Sequence, residues 1–186
     1  LVFLGCAAAY VLASGDRTIL RSFGRPEQGA MRLPLLLGGG VFLLLLGGYT
    51  LLSPWLDLSA ISGNLQAKEG FTAATFPLAA LYITFGNSLL EELFFRGFAF
   101  LALYRSGYKK LAWTFSAIAF ALYHVSIMDG WFHPALLVLL TSGLACAGLL
   151  FNALDAKSQT IWPGWLVHMG ANLAINTIAL HLWGII

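Results

Sequence analysis

Apolar residues run through this chain in long blocks rather than at alternate positions. Six blocks stand out: Leu1 to Ser14, Leu33 to Leu52, Ala73 to Tyr104, Leu111 to Met128, Pro134 to Leu154 and Ile161 to Ile186. Most approach the roughly 20 residues that a helix needs to cross about 30 Å of hydrocarbon. No regular strand-length alternation is present, which argues against a membrane barrel and requires backbone hydrogen bonds to close within helices. The pattern predicts an all-α polytopic transmembrane bundle of about six helices, forming a single membrane domain over residues 1–186. The first block has no basic stretch before it and reads as a helix truncated at its start rather than a signal peptide. The block Ala73 to Tyr104 exceeds one straight crossing, so it is tilted, kinked near Gly86 or partly outside the bilayer.

Composition reinforces this reading. Hydrophobic side chains make up 59% of the chain and charged ones 10%, with a mean hydropathy of +0.82, outside the range of soluble domains. The formal net charge of +2 is too small, and its residues too scattered among short loops, to point to nucleic acid as a partner. Placement of the basic residues is more informative. With alternating spans, Arg17, Arg21, Arg25, Arg32, Arg105, Lys109, Lys110 and Lys157 fall on one side and Lys68 on the other, which makes the first side cytoplasmic. Trp55, Trp131, Trp162 and Trp165 lie near span ends, where indole rings favour the headgroup region. Cys6 and Cys146 lack metal-ligand spacing and are expected to be inert packing residues. Gly38 to Gly40 and Gly47-Gly48 could permit close helix contact.

Polar groups inside the blocks are the exception that needs a reason. The run Leu89-Leu90-Glu91-Glu92-Leu93-Phe94-Phe95-Arg96 places two acids and a guanidinium where each would cost several kcal/mol facing lipid, so they face the bundle interior. Glu92 and Arg96 share a helix face and can pair, which leaves Glu91 available. A later block carries His124, four residues after Phe120, and the last carries His168 and Asn172, also four apart. At 1.5 Å per residue from the cytoplasmic ends, Glu91, His124 and Asn172 lie roughly 17 to 21 Å inside and His168 about 10 Å. A carboxylate, two imidazoles and an amide near one level are the materials for activating water, stabilising an oxyanion or binding a divalent metal. A structural clasp between helices accounts for the same residues without chemistry. Asn87 and Asn176, one turn from Glu91 and Asn172, are expected to hydrogen-bond between helices, and His133 and His181 are placed outside the site.

These three motifs, Glu91-Glu92 with Arg96, Phe120 with His124, and His168 with Asn172, match EExxxR, FxxxH and HxxxN in order and on separate spans. The chain therefore resembles the type II CAAX prenyl endopeptidases and bacteriocin-processing or immunity proteins, the CPBP or Abi family, over roughly residues 81–178. The resemblance implies an intramembrane endopeptidase. Glu91 and His124 would activate water, His168 and Asn172 would stabilise the oxyanion, and Glu92 and Arg96 would hold the site's shape. It also leaves open zinc or another divalent metal at Glu91, His124 and His168. The expected partners are a peptide or membrane-protein substrate and the lipid bilayer, in a bacterial cytoplasmic membrane with the site nearer the cytoplasmic side. Two other readings compete: a non-proteolytic bacteriocin-immunity or membrane scaffold protein, and a proton-coupled transporter, which the absence of inverted repeats disfavours.

Overall fold

The computed structural model describes residues 2–15, 17–55, 58–128, 130 and 132–186, and no strand occurs among them. In chain order the helices are α1 (Val2–Ser14), α2 (Arg32–Leu52), α3 (Ser59–Glu69), α4 (Phe76–Arg105), α5 (Lys109–Met128), α6 (Pro134–Ser158) and α7 (Trp162–Leu182). A 3₁₀ segment, Thr18–Phe23, joins the first two. The all-α expectation holds. Four helices, α2 with its continuation to Trp55, α4, α5 and α6, are long and apolar enough to cross a membrane. The 21 residues of α7 also reach that length, but His168, Asn172, Asn176 and His181 dilute its apolar character. Leu1 and Trp131 lie outside the described residues.

Two boundaries differ from the sequence reading. Helix α3 falls in a stretch too short and polar to read as a span, and it forms because Leu65 is buried with Phe76, Ala80 and Ala179. Helix α6 runs past Leu154 to Ser158, which carries Asp155 into the bundle, where it is fully buried. The long helix α4 is continuous but not uniformly α-helical. Tyr82–Asn87, which contains Gly86, and Leu93–Ala102 are π-helical, and between them Ser88–Glu92 forms a short α-helical stretch. Such widened turns often accompany functional sites.

Helices meet through small residues and interhelical hydrogen bonds, as expected where lipid supplies no hydrophobic drive. A Cβ on Gly170 of α7 would lie 2.5 Å from the Gly38 carbonyl oxygen of α2, so only glycine permits this approach. Gly39, Gly40, Gly47 and Gly48 have open space around them instead. Ser116 on α5 donates to the Phe95 carbonyl of α4 at 2.8 Å and to Asn152 Oδ1 of α6 at 3.1 Å. Cys6 and Cys146 are free and exposed rather than packed inside.

Arg105, at the end of α4, donates to the carbonyl of Thr18 and the hydroxyl of Ser22, and to the side chain and carbonyl of Gln159 after α6. One guanidinium thus fastens the 3₁₀ segment and the α6–α7 turn to α4. Trp162 Nε1 donates to the Gly24 carbonyl at 3.0 Å in the same region. Trp165, expected near the headgroups, instead donates to Ser88 Oγ of α4 at 3.0 Å, beside the acidic pair. Replacing Arg105 with alanine should destabilise the protein by about 2–3 kcal/mol, since several hydrogen bonds to one charged group are lost together. Thermal melting of the purified variant in detergent would check this, and an unchanged transition would show that the fastening is unimportant.

Candidate active site

The EExxxR segment sits midway along α4. Glu91, Glu92 and Arg96 are all buried, Glu92 and Arg96 completely. Arg96 Nη1 lies 3.1 Å from Glu92 Oε1, one helical turn away. Its guanidinium is 4.1 Å from the Phe120 ring centroid and 4.8 Å from that of Phe151, so aromatic faces from α5 and α6 supply much of the environment that water would otherwise provide. Phe120 also reaches both imidazoles, with centroids 4.5 Å from His124 and 5.5 Å from His168. That contact explains what the phenylalanine of FxxxH does, a role its sequence position leaves open.

His168 lies between the two acids. Its Nδ1 is 2.8 Å from Glu92 Oε1, while its Nε2 is 3.7 Å from Glu91 Oε2. His124 Nε2 is also 3.7 Å from Glu91 Oε2, and its Nδ1 is 2.8 Å from the Phe120 carbonyl. Carbonyls accept and never donate, so the hydrogen of neutral His124 resides on Nδ1. Glu92, paired with Arg96, likewise accepts from His168 Nδ1. Both rings therefore turn a bare Nε2 toward Glu91 Oε2, which itself has no hydrogen-bond partner within the protein. The other oxygen of Glu91, Oε1, accepts from Asn87 Nδ2 at 2.5 Å.

Three acceptor atoms thus converge with no donor among them. Ligand atoms of Glu91, His124 and His168 all lie within 4.8 Å of one another. Ligands about 2.1 Å from a tetrahedral metal stand about 3.4 Å apart, close to the observed spacing, and oxygen with two imidazoles suits zinc. The bonds from His124 Nδ1 to the Phe120 carbonyl and from His168 Nδ1 to Glu92 orient the rings as metal-ligating histidines are oriented. The donor set fits a divalent metal, and it fits a water molecule equally. Side-chain exposure is 3% for Glu91 but 18% for His124, so the approach to the cluster is from the His124 side.

The structure brings Glu91, Glu92, Arg96, His124 and His168 together and sets Asn172 one turn further along α7. Asn172 Nδ2 donates to the Ile83 carbonyl at 3.2 Å, two turns before Glu91 on α4. The depth estimate needs correcting for the same reason. Ile161, taken as the surface end of α7, is fully buried against Phe100, Leu101 and Ala112, more than a turn inside the Arg105 end of α4. Helix α7 begins recessed, which carries His168 to the level of Glu91. Asn176 bonds between helices as expected, to the Ala80 carbonyl and Thr84 Oγ1, whereas Asn87 bonds Glu91 within its own helix. His181 pairs with Tyr49 at 2.8 Å and His133 caps α6, both away from the cluster. Sequence reasoning missed Phe151, whose ring stacks on His168 at 5.7 Å, and Asp155. Phe151 gives no signal in an apolar block, but Asp155 is a carboxylate adjoining one.

No curated protein and no solved structure matches this chain. A protein-family model described as type II CAAX prenyl endopeptidase Rce1-like matches residues 73–174. That span is more than half of the 186 residues and contains every motif residue from Glu91 to Asn172. Since the motifs fall inside the matched region, and the cluster of two glutamates, two histidines and an arginine lies within it, the chain belongs to the type II CAAX prenyl endopeptidase Rce1-like family.

Proposed function

We propose that this membrane protein is an intramembrane endopeptidase that hydrolyses a peptide bond with water activated by Glu91 and His124. The observation that carries this reading is the convergence of His124 Nε2 and His168 Nε2 on Glu91 Oε2, each at 3.7 Å, inside a bundle that carries four helices long and apolar enough to cross a membrane. Water seated among these acceptors donates to Glu91 Oε2 and His124 Nε2, and its oxygen is thereby aimed at a carbonyl carbon entering from the His124 side. Attack forms the C–O bond as Glu91 takes the proton. The tetrahedral oxyanion collapses, the C–N bond breaks, and Glu91 returns the proton to the leaving amine. Asn172 has a second amide hydrogen beyond the one given to Ile83, and this would reach toward the oxyanion. A divalent metal such as zinc, held by Glu91, His124 and His168, would supply Lewis-acid polarisation of water and carbonyl.

The family points to peptide substrates in a membrane setting, and the excess of Arg and Lys in the loops on the Arg105 side supports a cytoplasmic position for that side. In purified protein in nanodiscs, Glu91→Gln and His124→Ala should each lower peptide cleavage at least a hundredfold while leaving the thermal transition near that of the wild type. Cleavage lowered at least tenfold by a chelator and restored by added zinc would assign a metal to Glu91, His124 and His168. Chelator-insensitive cleavage would instead leave the water activated by Glu91 and His124 alone. Cleavage that survives Glu91→Gln would overturn the protease mechanism in favour of the immunity or scaffold reading.

Arg96 and Glu92 serve the site differently. Arg96→Met should cost about 3–5 kcal/mol of stability, because it leaves buried carboxylates without their cation. Chemical denaturation of Arg96→Met beside Glu91→Gln would separate the two roles, and equal stability of both variants would show that Arg96 is not a structural pivot.

A further inference from the structure

Asp155 lies at the end of α6, outside all three motifs, and is fully buried. Its Oδ1 accepts the backbone N–H of Gly164 at 2.8 Å. Gly164 belongs to the first turn of α7, whose N-cap residue Ile161 supplies no side-chain hydrogen bond. First-turn N–H groups have no intrahelical acceptor, and a carboxylate there satisfies one of them and complements the helix dipole. Asp155 therefore caps α7 from a neighbouring helix. Gly164 precedes His168 by four residues, so the capped N–H and the imidazole lie on one face, a single turn apart.

Asp155 also lies close to Glu92, the group that holds the same imidazole. A Cβ placed on Gly164 would lie 2.8 Å from Asp155 Oδ2 and 3.0 Å from Glu92 Oε2. Both carboxyl groups thus close on the Gly164 backbone at a point where a Cβ would have to push them aside, and the Arg96 guanidinium is within electrostatic reach of both. Glu92 is the group that accepts from His168 Nδ1. The imidazole is located from both ends, by the height of α7 and by the oxygen at its Nδ1, and Asp155 bears on each.

We propose that Asp155 is a positioning residue for His168, acting through its cap on Gly164 to set the height of α7 against Glu91 and Glu92. The proposal rests on the protease reading for its kinetic consequences but not for its structural ones. The chain has four histidines, so selective ¹⁵N-histidine labelling yields a small set of ring signals, with His168→Ala assigning the relevant pair. Asp155→Ala removes the cap, Gly164→Ala pushes both carboxyl groups away, and Asp155→Asn keeps an oxygen for the Gly164 N–H. Asp155→Ala and Gly164→Ala should shift the His168 ring signals and lower kcat at least tenfold with KM within twofold. Asp155→Asn should restore the His168 signals and return kcat to within threefold of wild type. If Asp155→Ala does not fold, Gly164→Ala and Asp155→Asn carry the test. His168 signals unmoved in both Gly164→Ala and the folded Asp155→Ala, or displaced equally by Asp155→Asn, would overturn the proposal. If the wild type cleaves no peptide, the protease reading fails alone, because the ring signals still report whether Asp155 positions His168.

Discussion

A guanidinium buried completely in a lipid-embedded bundle has to be neutralised where it stands, and the arrangement around the site follows from how Arg96 meets that demand. Several kcal/mol would be lost if it were left unpaired. Glu92 supplies a carboxylate one turn away on the same helix, Phe120 and Phe151 supply ring faces from α5 and α6, and Asp155 lies within electrostatic reach. The requirement draws three helices onto one side chain. It also commits Glu92, which then has an oxygen to orient His168 but is unsuited to act as a free base. Glu91 is left with an unpartnered oxygen facing two imidazoles.

The three motifs are therefore one electrostatic assembly rather than three independent donors of residues. Phe120 touches Arg96 and both histidines, its backbone carbonyl orients His124, and Glu92 joins Arg96 to His168. The Phe120 carbonyl and Glu92 each fix which ring nitrogen faces Glu91. Neutral histidines held in this way present acceptors, and with Glu91 Oε2 they form a set that demands a hydrogen-bond donor or a cation. That demand lies behind both the hydrolytic water and the divalent metal in the proposed chemistry.

Helix α7 shows how far a site depends on the height at which a helix begins. Its start is recessed beneath the Thr18–Phe23 segment, with Ile161 N–H bonded to the Ser22 carbonyl at 3.0 Å and Ile161 itself buried. The same end is held by Arg105 through Thr18, Ser22 and Gln159. Without that recess His168 would lie well short of Glu91. With it, the two meet, and Asn172 passes on to bond the opposite stretch of α4.

Long apolar blocks are legible residue by residue, since crossing hydrocarbon imposes a length and forbids unpaired backbone groups. That constraint was sufficient to locate six apolar helices, four of them long and apolar enough to cross a membrane, and to mark Glu91, Glu92, Arg96, His124 and His168 as residues needing an interior. The Glu92–Arg96 pair was legible too, because both partners lie on one helix and local geometry decides it. Relations between helices were not. Helix α3 exists through the burial of Leu65 by residues distant in sequence, and Asp155 reads as a loop acid until its partner on α7 is known. Depth, ring orientation and the choice of Asn87 over a neighbouring helix as the partner of Glu91 depend on how helices are staggered and packed. Only the tertiary structure sets that stagger, because it arises from contacts such as Arg105 to Gln159 and Asp155 to Gly164 that no periodicity encodes.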